Sequence, residues 1–448
     1  MPSARATIFA LATPPGRSGL AVMRMSGPKA AVILSELSHG HQFAPRQAIL
    51  SRLYDPKGKL FDQALVLWFA APASYTGEDV VELHLHGGPA VIEAAAQALL
   101  ALGAEPAGPG EFTRRAFEHG KLDLVQAEAV ADLIDAQTRA QLDQAQRQLS
   151  GALGALYGSW REQLEQIRAQ IEACLDFPEE DDVIAAALAP LRPQVRELAA
   201  RIQEHLHDNH CGERIRQGLT IALTGPVNAG KSTLLNRLAG EPAAIVSDQP
   251  GTTRDIIRVA LDLGGYLVEL ADSAGLRQTS QAIEKEGVLR ATALAQAADI
   301  RVVVVDGSAE KPLEDIPAEL VQEGDFLVLN KSDLGADTAL LETGFPGTVM
   351  SLSAREGAGV EVFVQALQQR VTAILSARDA PALTRARHRL ALNDCVRALE
   401  RAAMQLPEQA ELAGEDLREA GAALGQITGE CGTEDILGRI FSHFCIGK

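Results

Sequence analysis

Gly225-Pro-Val-Asn-Ala-Gly-Lys-Ser232 follows the apolar run Leu219–Thr224 and opens a helical stretch, Thr233–Leu238. Strand, glycine-rich turn and helix in that order are the context a phosphate-binding loop requires. The glycines let backbone N–H groups close around phosphate oxygens. Lys231 reaches the outer phosphates, and the Ser232 hydroxyl binds Mg²⁺. Asn228, Ala229, Gly230 and Thr233 complete the phosphate-contacting stretch.

Four more elements follow in chain order. Gly251-Thr252-Thr253 lies in a loop where a threonine can close over the γ-phosphate and Mg²⁺, with Ser247 and Gln249 just ahead of it. Asp272-Ser-Ala-Gly275 ends a strand; Asp272 can bind Mg²⁺ through water and the Gly275 N–H can sense the γ-phosphate. Asn330-Lys331-Ser332-Asp333 ends another strand. One carboxylate there, Asp333, can accept both the ring N–H and the exocyclic amine of guanine, a donor pair that adenine lacks. Ser353-Ala354-Arg355 then offers backbone contacts to the base. Five elements in this order predict a GTPase domain.

Its hydrolytic chemistry departs from the Ras pattern. Leu276 stands where a Ras-type enzyme carries its water-positioning glutamine, and Glu284 is the nearest carboxylate of plausible reach. On spacing alone Glu284 could equally be an exposed charge beside Lys285 and Glu286. No arginine is placed as an arginine finger in cis; Asn228 and the oxygen-rich loop Ser247–Thr252 could hold a monovalent cation against the phosphates instead.

Outward from this loop, Leu219–Thr224, Ile300–Val305 and Phe326–Leu329 alternate with helices, predicting a doubly wound parallel sheet. Gly264-Gly265 between Val259–Leu263 and Leu267–Leu270 predicts one antiparallel hairpin within it. Upstream, Leu20–Met25, Ala64–Phe69 and Val80–His86 read as strands and Ala90–Leu102 as a helix, an α+β domain ending near residue 118. From Lys121 to Phe177 apolar residues recur at helical spacing, as they do over Val195–His207 and again from Ala382 onward. Glu179-Glu180-Asp181-Asp182 reads as an acidic linker rather than a metal site. The expected division is an N-terminal α+β domain at 1–118, an all-α domain in two segments at 119–214 and 376–448, and an inserted Ras-like P-loop domain at 215–375.

The composition of the 448 residues, 46% apolar and 22% charged, is that of a folded chain. The 41 Lys+Arg against 59 Asp+Glu give a net charge of −18, which excludes wholesale coating of nucleic acid and leaves room only for a local basic patch. Arg385, Arg387, Arg389, Arg397 and Arg401 are the first candidates for such a patch, Arg114 and Arg115 the second. Five scattered cysteines without a C-x-x-C pair argue against a disulfide framework. No run reaches the roughly 18 apolar residues that span a bilayer, and the short apolar stretch Ala6–Ala12 reads as a buried strand, so a cytoplasmic protein is expected.

End to end, the chain resembles the MnmE (TrmE) family of tRNA-modifying GTPases. The resemblance rests on Ala12-Thr-Pro-Pro-Gly-Arg17, Ser74-Tyr-Thr-Gly-Glu-Asp79, Gly108-Pro-Gly-Glu-Phe-Thr-Arg-Arg-Ala-Phe117, Lys121-Leu-Asp-Leu-Val-Gln-Ala-Glu128, the nucleotide motifs above and Cys445-Ile-Gly-Lys448. It implies a folate-binding and dimerising N-terminal domain, with G domains that pair across a homodimer when K⁺ and GTP are bound. By matching motif positions, K⁺ would sit against Asn228, Ser247, Gln249 and Thr252, Mg²⁺ against Ser232 and Thr253, and Glu284 would orient the attacking water.

The resemblance further implies that a one-carbon tetrahydrofolate (5-formyl or methylene) supplies a methylene group to C5 of the wobble uridine. The implied partners are tRNA and the MnmG flavoprotein, which carries the FAD, in a heterotetramer. Folate contacts would fall on Arg24, Glu82, Lys121 and Lys448. Cys445 would be a thiolate nucleophile, an acid or a structural residue. Glu82, His84 and His86 alternate along one strand and could alternatively hold Zn²⁺. A ribosome-assembly GTPase without modification chemistry is the alternative function, and a non-catalytic GTP switch a third.

Overall fold

The computed structural model describes residues 6–176, 187–245, 258–272, 292–309, 322–335, 345–375, 382–429 and 434–447. The chain divides into two compact units, one of Met1–Ala131, Gln148–Ala199 and Asp394–Lys448, the other of Asp132–Arg147 and Ala200–Asn393.

The first unit opens with β1 (Ile8–Leu11), β2 (Ala21–Ser26), α1 (Ala30–Leu37), β3 (Ile49–Tyr54), β4 (Leu60–Phe69), β5 (Val80–Leu85), α2 (Pro89–Ala101) and β6 (Glu105–Pro106). The six strands form one sheet in the order β3-β4-β5-β2-β1-β6. Alternation along each strand sends Met23, Met25, Val66, Leu83 and Leu85 to one face, where Ile33 and Leu34 of α1 and Ala95 and Leu99 of α2 cover them. The opposite face keeps Arg24, Glu82 and His84 half-buried, and Arg24 and Glu82 are register partners on neighbouring strands.

Helices follow: α3 (Glu111–Glu118), α4 (Leu124–Asp135), α5 (Arg139–Leu149), α6 (Ala152–Asp176), α7 (Leu191–Leu206) and α8 (Cys211–Gln217). The helical period read from 121 to 177 is thus broken twice. Gln141 Oε1 accepts the N–H groups of Gln137 and Thr138 and caps α5, and Gly151 takes a left-handed φ of 86° between α5 and α6.

The second unit carries β7 (Leu219–Thr224), α9 (Lys231–Ala239), β8 (Arg258–Leu263), β9 (Tyr266–Asp272), β10 (Ile300–Asp306), β11 (Phe326–Asn330), β12 (Thr348–Ser351) and α10 (Val360–Leu375). Strand order is β12-β11-β10-β7-β9-β8, parallel throughout except for the β8–β9 hairpin. Gly264 and Gly265, at φ 67° and 89°, supply the two positive-φ positions that a tight hairpin turn requires. The fully buried strands β10 and β11 read as continuous Val/Leu runs because parallel sheets are covered on both faces. The chain order reverses at β7, and ligands of such sheets sit at the strands' carboxyl ends beside that reversal.

The last segment gives α11 (Ala386–Gln405), α12 (Ala410–Thr428) and α13 (Glu434–Ser442). Within the first unit α12 packs along α6, and Leu437 and Phe441 of α13 join Leu124, Ala127 and Phe444 in one cluster. Segments far apart in sequence therefore share a core, and the fold is the expected mix of α+β, all-α and α/β parts. Among the described residues no helix is long and apolar enough to cross a membrane.

Candidate functional site

The loop between β7 and α9 has two glycines that its neighbours make obligatory. Gly225 has φ 123°, and a Cβ there would meet the Val304 carbonyl oxygen at 2.1 Å. Gly230 has φ 95°, and its Cβ would meet Asn330 Nδ2 at 2.2 Å. Asn228 also takes a left-handed φ of 64°, while Ala229 is buried. Lys231, only 5% exposed, donates from Nζ to the carbonyls of Gly225 at 2.7 Å and Pro226 at 2.8 Å. Burial pulls its ammonium below the ordinary lysine range, and the Asp272 carboxylate opposes that pull. Desolvation of this kind is relieved by anionic phosphate oxygens. Thr233 is exposed on the first turn of α9, where free N–H groups favour anions.

Ser232 Oγ donates to Oδ2 of the fully buried Asp272 at 2.8 Å. A hydroxyl and a carboxylate side by side are hard oxygen donors, the chemistry that suits Mg²⁺. On the base side Asn330 is the keystone: its Nδ2 donates to the Ala229 carbonyl at 2.8 Å and its Oδ1 accepts the Ala354 N–H at 2.9 Å. One buried carboxamide thus joins the β7–α9 loop to the Ser353–Arg355 loop. Ser353 Oγ donates to Asp333 Oδ1 at 2.6 Å, fixing the carboxylate expected to read guanine. Lys331, at φ 65°, pairs through Nζ with Asp306 Oδ2 at 2.6 Å.

Two residues of this site carry no motif signal. Asp306 ends β10 directly opposite Asn330, and accepts from Ser308 Oγ at 2.6 Å as well as from Lys331. Burial pushes its carboxyl up, but the hydrogen bonds from Lys331 and Ser308 outweigh this and hold it below the ordinary range. Its position at the carboxyl end of a central parallel strand was the available signal. Arg237 of α9 donates from Nε to the Ala354 carbonyl at 3.2 Å and from Nη2 to the Arg355 carbonyl at 2.5 Å. Ser247, Gln249, Thr252, Thr253, Gly275 and Glu284 lie outside the described residues, so of the K⁺ set only Asn228 and of the Mg²⁺ pair only Ser232 are placed.

The first unit gathers a second group. Arg24 bonds Glu82 Oε1 from Nε at 3.0 Å and Nη2 at 2.8 Å, and its guanidinium lies 6.0 Å from the Tyr75 ring centroid and 5.9 Å from that of Phe112. Burial raises the Tyr75 hydroxyl pKa, against the hydrogen bond with Thr113 and the Arg24 charge. Arg24 Nη1 also donates to the Gly447 carbonyl at 3.4 Å. The 445–447 segment is docked here: Ile446 bridges Pro109, the Gly110 N–H donates to the Cys445 carbonyl, and a Cβ on Gly447 would meet the Leu11 carbonyl at 2.3 Å. Two of the four expected folate contacts and the Cys445 motif therefore converge. Lys121 is exposed beside Gly77, with no bond to Arg24 or Glu82 among the described residues, and Lys448 lies outside them.

Residues 124–445 match the family described as MnmE helical domain, and residues 7–121 the one described as GTP-binding protein TrmE N-terminus. The protein named tRNA modification GTPase MnmE of Parvibaculum lavamentivorans is 51% identical over 99% of this chain and 100% of its own length. The chain belongs to the MnmE family. Its namesakes in Maricaulis maris and Caulobacter vibrioides are each 50% identical over 99% of both chains. Among solved structures the G domain of the T. maritima FeoB iron transporter aligns with TM-score 0.26 and 22% identity, over 35% of this chain and 98% of that one; nothing below rests on it.

Two expectations for this MnmE family chain need correction. Four of the five arginines first proposed as a basic patch are spent on carboxylates. Arg385 pairs with Asp132 at 2.6 Å, Arg389 with Asp208 at 2.7 Å and Glu213 at 3.4 Å, Arg401 with Asp416 at 2.7 Å and Glu419 at 2.6 Å, and Arg397 with Asp394. Arg115 is 3% exposed and held by Glu78 and Glu111, so it has no face for RNA; Arg114 pairs with Glu118. The Zn²⁺ alternative also fails. His86 turns to Asp62 at 2.7 Å while Glu82 faces Arg24, and among the described residues no three His, Cys, Asp or Glu groups could hold a metal.

Proposed function

We propose that this chain hydrolyses GTP and couples the cycle to modification of C5 of the wobble uridine of tRNA. It would act in the cytoplasm with the FAD-dependent MnmG flavoprotein and a one-carbon tetrahydrofolate, adding an aminomethyl or carboxymethylaminomethyl group. The observation that carries the nucleotide half is the Asn330 bridge. It ties the Gly225–Ser232 loop to the Ser353–Arg355 loop, whose serine holds Asp333, and so supports reading the first as a phosphate-binding loop and Asp333 as a double acceptor. Guanine satisfies Asp333 with two N–H donors, and backbone N–H groups at the start of α9 receive the phosphates.

Lys231 exchanges its bonds to the Gly225 and Pro226 carbonyls for phosphate oxygens and offsets charge as the terminal bond breaks. Mg²⁺, held by Ser232 and Thr253, supplies charge neutralisation when bound. Glu284 would orient the water, and K⁺ at Asn228, Ser247, Gln249 and Thr252 would take the place of an arginine finger as G domains pair across a homodimer. Arg24 and Glu82, with Lys121 and Lys448, would hold the folate, Glu82 accepting from the pterin amide and amine. Domains at 1–118, 119–214 with 376–448, and 215–375 remain our proposed division.

The test is nucleoside mass spectrometry of tRNA from cells lacking the protein, paired with GTP turnover of the purified chain in KCl and NaCl. Loss of the C5 modification and turnover that falls in NaCl are expected. Unchanged wobble uridines refute the modification role, and equal rates in both salts remove K⁺ from the mechanism.

A further inference from the structure

We propose that Arg237 is a positioning residue for guanine recognition, acting through the backbone of the base loop upon Asp333. The inference rests on the GTPase reading and names a residue outside the five nucleotide motifs.

The path is continuous. Arg237 lies in the last turn of α9, the helix that begins with Lys231 and Ser232. Its planar fork takes two successive carbonyls, Ala354 at 3.2 Å and Arg355 at 2.5 Å, and its guanidinium lies over Gly357, with Cζ 3.5 Å from where a Cβ would stand. The Arg355 carbonyl and the Glu356 N–H belong to one planar peptide and point in opposite directions. That N–H donates to Ser353 Oγ at 3.1 Å, and the Ser353 hydroxyl donates to Asp333 Oδ1 at 2.6 Å. Holding the carbonyl therefore aims the amide, the amide aims the hydroxyl, and the hydroxyl aims the carboxylate. The preceding peptide, Ser353–Ala354, is held in turn by Asn330 Oδ1, which accepts the Ala354 N–H. Ser353 is fully buried, so no solvent competes for its proton.

Lysine can replace this fork only in part, since an ammonium is a point donor on a flexible stem. The experiment compares full-length wild type with Arg237→Ala and Arg237→Lys by fluorescence titration with mant-GDP and competition with GDP and IDP, which lacks only the exocyclic amine that Asp333 reads. Arg237→Ala should raise the Kd for GDP about tenfold and that for IDP only about threefold, so discrimination between the two bases shrinks about threefold. Arg237→Lys should recover part of the loss. GDP affinity within twofold of wild type, or equal weakening of GDP and IDP, overturns the proposal; equal weakening would mean Arg237 merely supports α9. Failure of the wild-type chain to prefer GDP over IDP would instead refute the guanine reading itself, before any variant is examined.

Discussion

Gly230→Ala should damage nucleotide binding through Asn330, and the size of the effect follows from two separable terms. A non-glycine residue held at φ 95° costs about 1–2 kcal/mol of backbone strain. The new Cβ would also stand 2.2 Å from Asn330 Nδ2, so the carboxamide must leave its place. Leaving breaks the bonds to the Ala229 carbonyl and from the Ala354 N–H, with Asn330 itself only 3% exposed. Two buried partners lose their bonds together, at about 2–4 kcal/mol. Gly230→Ala thus totals about 3–6 kcal/mol, a weakening of GDP binding of roughly a hundredfold to ten-thousandfold. Asn330→Ala removes the bridge alone and should weaken binding by about thirtyfold to several hundredfold. In the double variant the clash is already gone, so only strain is added to the lost bridge. It should bind GDP about as weakly as Gly230→Ala, a coupling of about 2–4 kcal/mol. Titration of all four proteins with mant-GDP measures the cycle. If the single effects add to within about 0.5 kcal/mol, Gly230 and Asn330 act independently and the keystone argument is wrong.

Glu82→Gln removes the carboxylate that holds Arg24 at 2.8 Å and should weaken 5-formyl-tetrahydrofolate binding about tenfold or more, read by calorimetry; unchanged affinity would remove Glu82 from the folate site. Burial pushes the Cys395 thiol up to about 12. Its reactive thiolate is therefore scarce from pH 7 to 9 and grows only as pH climbs towards that value. Iodoacetamide mapped by mass spectrometry should modify exposed Cys445 and leave Cys395 blank across that range. Because Arg385, Arg389, Arg397 and Arg401 are already paired, tRNA affinity should fall gently with salt, with a log–log slope no steeper than about −3. A slope beyond about −5 in a filter-binding series would show that these pairs open for phosphates.

Sequence alone disclosed the parts whose causes are local. The β7–α9 turn was legible because backbone geometry demands glycine at 225 and 230, and the β8–β9 hairpin because Gly264 and Gly265 both need positive φ. The break between α5 and α6 was hidden, since one glycine at 151 in a helix-forming run is a weak signal. The pairing of Arg385 and Arg389 was hidden for a different reason. Asp132, which neutralises Arg385, lies 253 residues away, and Asp208, which takes Arg389, 181 away; no local pattern announces such partners. Arg115 likewise resembles a surface charge until the fold sets it between Glu78 and Glu111. Arg237 was invisible because its targets are main-chain carbonyls, which every sequence possesses.

The two sites use one device, a polar side chain that reads backbone atoms contributed by remote segments. Asn330 takes a carbonyl from residue 229 and an N–H from residue 354, while Arg24 takes a carbonyl from residue 447, 423 positions away. Such contacts demand shape at the remote end rather than a particular side chain, which is why glycine recurs there: Gly230 beside Asn330, and Gly447 against the Leu11 carbonyl. Each site therefore depends on the packing of its own unit before it depends on any ligand. The docking of residues 445–447 needs the α13 cluster with Leu124 and Ala127, which in turn needs α3 and α4 in place. A chain that closes on itself in this way can receive the stretch Ala200–Asn393 of the second unit without altering the residues that meet Arg24, because every described bond of Arg24 is made within the first unit.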